Sequence, residues 1–158
     1  MDLHHMPTRS KSILRPPKIP KTDKRLIGTW KSDAKRTLRE WLWKKEPSED
    51  RVRFVKFIFG KSEITYSRNT VTLNYTGEWA SSRHFAVLGV DKDSVAIIHY
   101  GQADIKNRQK YLPESLEILD ELYATPKILH IHFEKNYFWI SLAGGRNREF
   151  FRKMRNAK

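Results

Sequence analysis

The strongest constraint on the fold is the register of three predicted β-hairpins. In the first, segments 62–67 and 70–76 flank a two-residue turn and alternate apolar with polar residues. Such a turn sets Tyr66 opposite Val71 on one face and pairs polar residues on the other. A slip by one residue would mix the two faces, so the sequence predicts a single register for this pair of strands.

Two further hairpins and two single strands complete the predicted sheet. A hairpin over 128–142 passes the same test, since Phe133 falls opposite Phe138, and another spans 83–100. Single strands are predicted at 26–31 and 51–59. Closing such a series of hairpins removes exposed strand edges. We therefore expect a mainly β fold, an antiparallel up-and-down barrel of about eight strands with two or three short helices.

Helices and a tail account for the rest of the chain. Helical spacing of apolar residues predicts helices at 33–45, 113–123 and 147–155. Residues 1–25 contain four prolines and no hydrophobic period, which predicts a disordered basic tail. The expected domain is thus a β-barrel over 26–158 that ends on a basic helix.

Charge and composition narrow the class of protein. Of the net charge of +13, residues 1–25 carry seven Lys/Arg against two Asp, and residues 143–158 carry six against one Glu. The chain has no cysteine, which removes disulfides and thiolate metal sites. Apolar runs stay well below the ~20 residues of a membrane span, and no secretory leader is recognisable. We expect a cytoplasmic protein without a transmembrane segment.

The first predicted strand carries a short motif. Gly28-Thr29-Trp30, placed after an N-terminal extension and before a run of antiparallel strands, resembles the calycin barrels, namely the lipocalins and fatty-acid-binding proteins. The resemblance implies that Gly28 and Trp30 begin the barrel and close its base. It also implies that an arginine near the last strand, here Arg146 or Arg148, packs across the indole.

This resemblance implies a binding module for a small, mostly apolar ligand rather than an enzyme, with no cofactor. The residues expected to line the barrel interior are Trp30, Phe57, Phe59, Tyr66, Leu73, Ile131, Phe133 and Phe138. An eight-stranded barrel is wide enough for its own side chains or for one small ligand. These large residues could therefore fill the interior and leave no site.

The basic ends suggest an alternative function, the binding of nucleic acid or an acidic partner. Phosphate neutralisation would supply affinity without sequence specificity. The residues predicted for this role are Lys18, Lys21, Arg148, Arg152 and Arg155, with Tyr137 and Trp139 available to stack on bases. The tail also contains a Pro-x-x-Pro pattern at 17–20, which could dock on a partner as polyproline II.

Catalytic and metal-ligating patterns are sparse. His130, His132 and Glu134 alternate along one predicted strand, so their side chains share one face and could hold a metal. The competing interpretation is a solvated strand face with histidines packed on Trp139. Scattered carboxylates and the absence of a Gly-x-Ser-x-Gly motif give no acid–base pair or nucleophile.

Overall fold

The structure is a closed antiparallel β-barrel. This computed structural model describes residues 22–75, 79–142 and 145–155, so nearly all of the predicted tail 1–25 lies outside the described residues. Within that range each strand pairs with the next, and the last pairs with the first. The strands are β1 (Gly28–Ser32), β2 (Ser62–Tyr66), β3 (Thr70–Tyr75), β4 (Trp79–Val90), β5 (Ser94–Ile105), β6 (Lys127–Glu134), β7 (Tyr137–Ser141) and β8 (Arg148–Lys153). The predicted fold class is confirmed.

The helices lie in the connections at one end of the barrel. They are α1 (Ala34–Arg39), α2 (Glu49–Ile58) and α3 (Pro113–Ala124), with a 3₁₀ turn at Arg108–Lys110. The first two join β1 to β2, and α3 lies between β5 and β6. We call this end the mouth. The opposite end, where short turns join β2 to β3, β4 to β5 and β6 to β7, is the base.

The predicted hairpin registers are confirmed. Tyr66 lies opposite Val71 in the first hairpin, and Phe133 lies opposite Phe138 in the third. Because side chains alternate across a strand, each register sends one apolar set to the barrel axis. In these two hairpins the sequence therefore determines which strand faces point inward.

The strand predicted at 51–59 is wrong, because this segment forms α2. The Ser48 side chain accepts the backbone N–H of Arg51, and Glu49 and Asp50 occupy the first turn, where the helix dipole favours carboxylates. Val55 is buried where α2 packs against α1. The valines and phenylalanines favoured a strand, but the cap and the packing decide for a helix.

The basic helix predicted at 147–155 is also wrong, because this segment forms β8. Closure requires a strand here: β8 pairs with β7 through Phe138 and Phe151, and with β1 through Trp30 and Lys153. These long-range hydrogen bonds override the helical spacing of the apolar residues. The helix predicted at 33–45 exists but is short, since α1 ends at Arg39.

The base of the barrel is closed by Trp30 and by the segment before β1. Trp30 is 2% exposed; its indole N–H donates to the Leu26 carbonyl at 2.8 Å and its ring stacks on Phe138 at 4.8 Å. The Arg25 guanidinium donates to the carbonyls of Asp91, Lys92 and Ser94 in the turn between β4 and β5.

An ion pair with Asp23 fixes the position of the Arg25 side chain. The Arg25 guanidinium lies 2.7 Å from a carboxylate oxygen of the buried Asp23, and its hydrogen bonds hold the pKa of Asp23 below the usual range. Arg25 also lies over the Phe133 ring, 4.6 Å from its centroid. The chain entering β1 is therefore fastened across the base.

Candidate binding site at the barrel mouth

The barrel interior changes from filled to partly open along its axis. Near the base, the inward side chains are fully buried, as Trp30, Tyr66, Ile131 and Phe138 show. Towards the mouth, the next inward positions of β2, β3, β6, β7 and β8 keep partial exposure, as does His99 on β5, whereas Ser32 on β1 and Arg83 on β4 are buried. The partly exposed positions, which we call the mouth site, are Ile64, Leu73, His99, Leu129, Ile140 and Glu149. Ile64, Leu129 and Ile140 pack against the buried core while part of their surface stays exposed.

Glu149 supplies the acidic group of the mouth site. It lies on β8 opposite Ile140 and accepts a hydrogen bond from the Ser32 hydroxyl, which in turn accepts the backbone N–H of Gly60 at 2.9 Å. Burial raises the pKa of Glu149 to about 7, although the Lys127 ammonium opposes this shift. At neutral pH this carboxyl is therefore divided between a form that donates a hydrogen bond and a form that only accepts.

A neutral hydrogen bond joins β2 to β5 at the lower edge of the mouth site. The Tyr66 hydroxyl lies 3.0 Å from Nε2 of His99. Burial lowers the pKa of His99 to about 4, with the charges of Arg83 and Lys127 adding to the effect, and burial raises the pKa of Tyr66. Both side chains are neutral at physiological pH, so they offer a ligand dipoles rather than charge.

The buried Arg83 side chain donates hydrogen bonds to two backbone carbonyls. Its Nε donates to the Gly101 carbonyl and one terminal nitrogen donates to the Thr125 carbonyl, both at 3.1 Å. The guanidinium thus ties β4 to the connection between α3 and β6. It contributes positive charge to the interior while its donors stabilise this connection.

The structure brings together most of the predicted interior residues but not all. Trp30, Tyr66, Ile131 and Phe138 fill the base, and Leu73 and Phe133 are half-buried. The prediction of Phe57 and Phe59 in the interior is wrong. Phe57 lies on α2 with 66% of its surface exposed, and Phe59 ends that helix with its ring 5.4 Å from Trp41.

The cation over Trp30 is a lysine rather than the predicted arginine. Nζ of Lys153 lies 5.4 Å from the indole centroid, whereas Arg146 contacts the Trp43 carbonyl and Arg148 lies over Trp139. In a strand, alternation sends 149, 151 and 153 inward and 148 outward. Treating this segment as a strand would have found both Lys153 and Glu149.

Gly28 makes room for this lysine. Its φ of +132° is a conformation that other residues rarely adopt, and a Cβ at this position would meet Cε of Lys153 at 3.3 Å. The Gly-x-Trp motif therefore combines a backbone turn, a close approach and the indole that closes the base.

The predicted metal-binding trio lies on the outer face of β6. His132 stacks on Trp139 at 3.9 Å, and Glu134 pairs with Arg36 at 2.9 Å. Across the described ranges, no cluster of His, Cys, Asp or Glu has the geometry to hold a metal ion. The packed histidine is the arrangement that the competing interpretation anticipated.

The residues predicted for nucleic acid are spread around β8. Arg148 and Arg152 point outward from this strand, while Arg155 lines a cleft at the base; Lys18 and Lys21 fall outside the described residues. This cleft, of about 830 Å³, also contains Arg68 and Lys153, with hydroxyl groups from Thr29, Thr65 and Ser67. No carboxylate is among its lining residues in the described part of the chain. We call it the base cleft.

The class of this protein is defined by its fold alone, because comparisons with known proteins identify no relative. No family model, curated protein or solved structure matches this chain significantly. The fold defines a closed, eight-stranded, up-and-down antiparallel barrel. None of the helices in the described ranges is both long and apolar enough to cross a lipid bilayer.

Proposed function

We propose that this chain is a binding module of the calycin type that holds a small, mostly apolar ligand in the mouth site. The observation that carries the proposal is the partial exposure of inward apolar side chains at the mouth, above a base that is filled. When a ligand covers apolar surface that faces the barrel axis and is exposed to solvent, the free energy of the system falls, which favours binding.

The filled base limits the shape of that ligand. Trp30, Phe138 and Phe151 occupy the lower part of the axis, so a ligand would reach only part of the barrel's depth. Ser32 and Glu149 offer hydrogen bonds at the side of the site. A compact apolar molecule with one polar group fits better than a long extended chain.

Blocking the mouth site should abolish ligand binding. Leu129 and Ile128 are adjacent on β6 but point to opposite faces, so they form a matched pair. We expect Leu129→Trp to weaken binding of a compact fluorescent apolar probe with one polar group by about tenfold or more, since the indole takes the ligand's place. Ile128→Trp should leave it unchanged. Displacement titrations, with circular dichroism to verify folding, measure both; no binding by the wild-type protein at micromolar concentration would reject the proposal.

The base cleft favours a second candidate function, the binding of a phosphate-bearing partner. Arg68, Lys153 and Arg155 converge on it with three hydroxyl groups. Among the described residues, none of these three cations has a carboxylate within ion-pair distance. Anions that enter such a cleft gain charge-assisted hydrogen bonds.

Neutralising the base cleft should lower the salt dependence of nucleic-acid binding. For Arg68→Gln combined with Arg155→Gln, we expect the slope of log K against log salt to fall by about 1–2 for a single-stranded oligonucleotide. The control, Lys35→Gln with Lys45→Gln, removes equal charge near the mouth. Equal changes in slope for both double variants would show that only the overall charge acts.

A further inference from the structure

Helix α2 has two apolar faces, and only one of them is covered. Val55 packs into the protein, as α2 lies against α1. Next to this buried face, Phe54, Phe57 and Ile58 are 63%, 66% and 40% exposed. At 3.6 residues per turn, these three side chains fall within an arc of about 100°. An ordinary surface helix would carry polar residues there.

The exposed face continues into the loop between α1 and α2. Leu42 is 57% exposed, and it lines one groove of about 440 Å³ together with Trp43 and Phe54. The five residues Leu42, Trp43, Phe54, Phe57 and Ile58 form what we call the α2 patch. Contiguous exposed apolar surface of this kind marks an interaction site.

Cations surround the patch. Arg51 and Arg53 flank its helical part, and Nζ of Lys61 lies 3.2 Å from the Phe57 ring centroid. Lys44 and Lys45 follow the loop residues directly. Glu49 and Asp50 lie in the first turn of α2, where Glu49 is 3.7 Å from Arg53 and Asp50 is one turn before Phe54. The border of the patch still contains five cations against the three carboxylates of Glu46, Glu49 and Asp50.

We propose that the α2 patch docks on an anionic lipid surface. Aromatic side chains with basic residues at their flanks match the acyl boundary and the charged headgroups of such a surface. A second copy of the chain fits less well, because a symmetric contact would bring the two basic borders together. The N-terminal residues 1–21 would be repelled in the same way, since they contain five Lys/Arg against one Asp. This docking goes beyond ligand binding and would bring the mouth of the barrel to a lipid surface.

Vesicle sedimentation tests the proposal with the full chain. We expect the protein to sediment with vesicles of phosphatidylcholine and phosphatidylglycerol, but not with phosphatidylcholine alone, and to be released by high salt. Phe54→Ser with Phe57→Ser should reduce the partition coefficient by about tenfold or more. Because both side chains are exposed, this double variant should keep the wild-type melting curve.

A matched control separates the patch from general hydrophobicity. Leu88 and Val90 are 42% and 49% exposed at the base end of β4, so Leu88→Ser with Val90→Ser removes apolar surface far from α2. This variant should bind vesicles like the wild type. Equal binding by the phenylalanine variant, or no sedimentation with anionic vesicles, would overturn the proposal. So would a dimer in sedimentation velocity that dissociates when Phe54 and Phe57 are replaced.

Discussion

Replacing Trp30 with alanine should lower the free energy of unfolding by about 3–5 kcal/mol. The indole is 2% exposed, stacks on Phe138 and donates its N–H to the Leu26 carbonyl, so the variant loses packing and leaves a buried carbonyl without its donor. It also leaves the side chain of Lys153 over a cavity. The loss is a large fraction of the stability of a domain of this size, so a clearly lower urea midpoint is the expected result.

Trp139→Ala is the matched control for this change. Trp139 points outward from β7, between His132 on β6 and Arg148 on β8. Its removal should cost about 1 kcal/mol, because the stacked groups become solvated rather than buried without partners. Urea unfolding followed by far-ultraviolet circular dichroism measures both variants. Equal losses for the two would contradict the placement of Trp30 as the residue that closes the base.

Replacing Glu149 with glutamine should stabilise the protein at pH 8 by about 3 kcal/mol. Burial raises the pKa of Glu149 from 4.5 to about 7, so the folded protein keeps a proton that the unfolded chain releases between these values. The contribution of Glu149 to stability is therefore fully present below pH 4.5 and is lost as the pH rises to about 7. Glutamine is neutral at every pH, and its side-chain oxygen can still accept the hydrogen bond from the Ser32 hydroxyl.

His99 produces the opposite dependence over an overlapping range. Burial lowers the pKa of His99 from 6.5 to about 4, so the unfolded chain binds the extra proton and stability rises between these values. In the wild-type protein the contributions of His99 and Glu149 largely cancel between about pH 4.5 and 6.5. In Glu149→Gln that compensation is gone, and stability should climb by about 3 kcal/mol over this range.

Urea unfolding at steps of half a pH unit measures how the free energy of unfolding depends on pH in the wild type and in Glu149→Gln. Glu117→Gln, an exposed change on α3, serves as the control and should follow the wild type at every pH. If Glu149→Gln also followed the wild type, the carboxyl would be solvated in the folded state. The mouth site would then lack the partly protonated group that we propose as the partner of a ligand's polar end.

The two wrong elements share a physical cause. In both 51–59 and 147–155, the apolar residues fit a strand and a helix about equally well, and short apolar runs do not separate the two. For α2 a local signal existed, since Ser48 and the acidic first turn are a helix start. For β8 no local signal decides, because its structure depends on hydrogen bonds to β1 and β7.

These errors carried over to the predicted site. Phe57 was assigned to the interior because a strand at 51–59 would have belonged to the wall, and it lies instead on the exposed face of α2. Glu149 and Lys153 were missed because a helix at 147–155 gives no reason for them to point inward. The α2 patch and the acidic group of the mouth site both emerge from these two corrections.

The sequence alone determined the registers of the first and third hairpins and the inward set of their strands, because pairing across a short turn depends on residues close in the chain. The role of Trp30 in closing the base was an expectation from the resemblance of Gly28-Thr29-Trp30 to the calycin barrels. Only the tertiary structure decided that the wall closes through β8, that the inward residues are less buried at the mouth than at the base, and which face of α2 remains uncovered. Those outcomes depend on contacts between residues more than a hundred positions apart, such as Trp30 with Phe138. Local patterns carry no information about which distant surfaces meet.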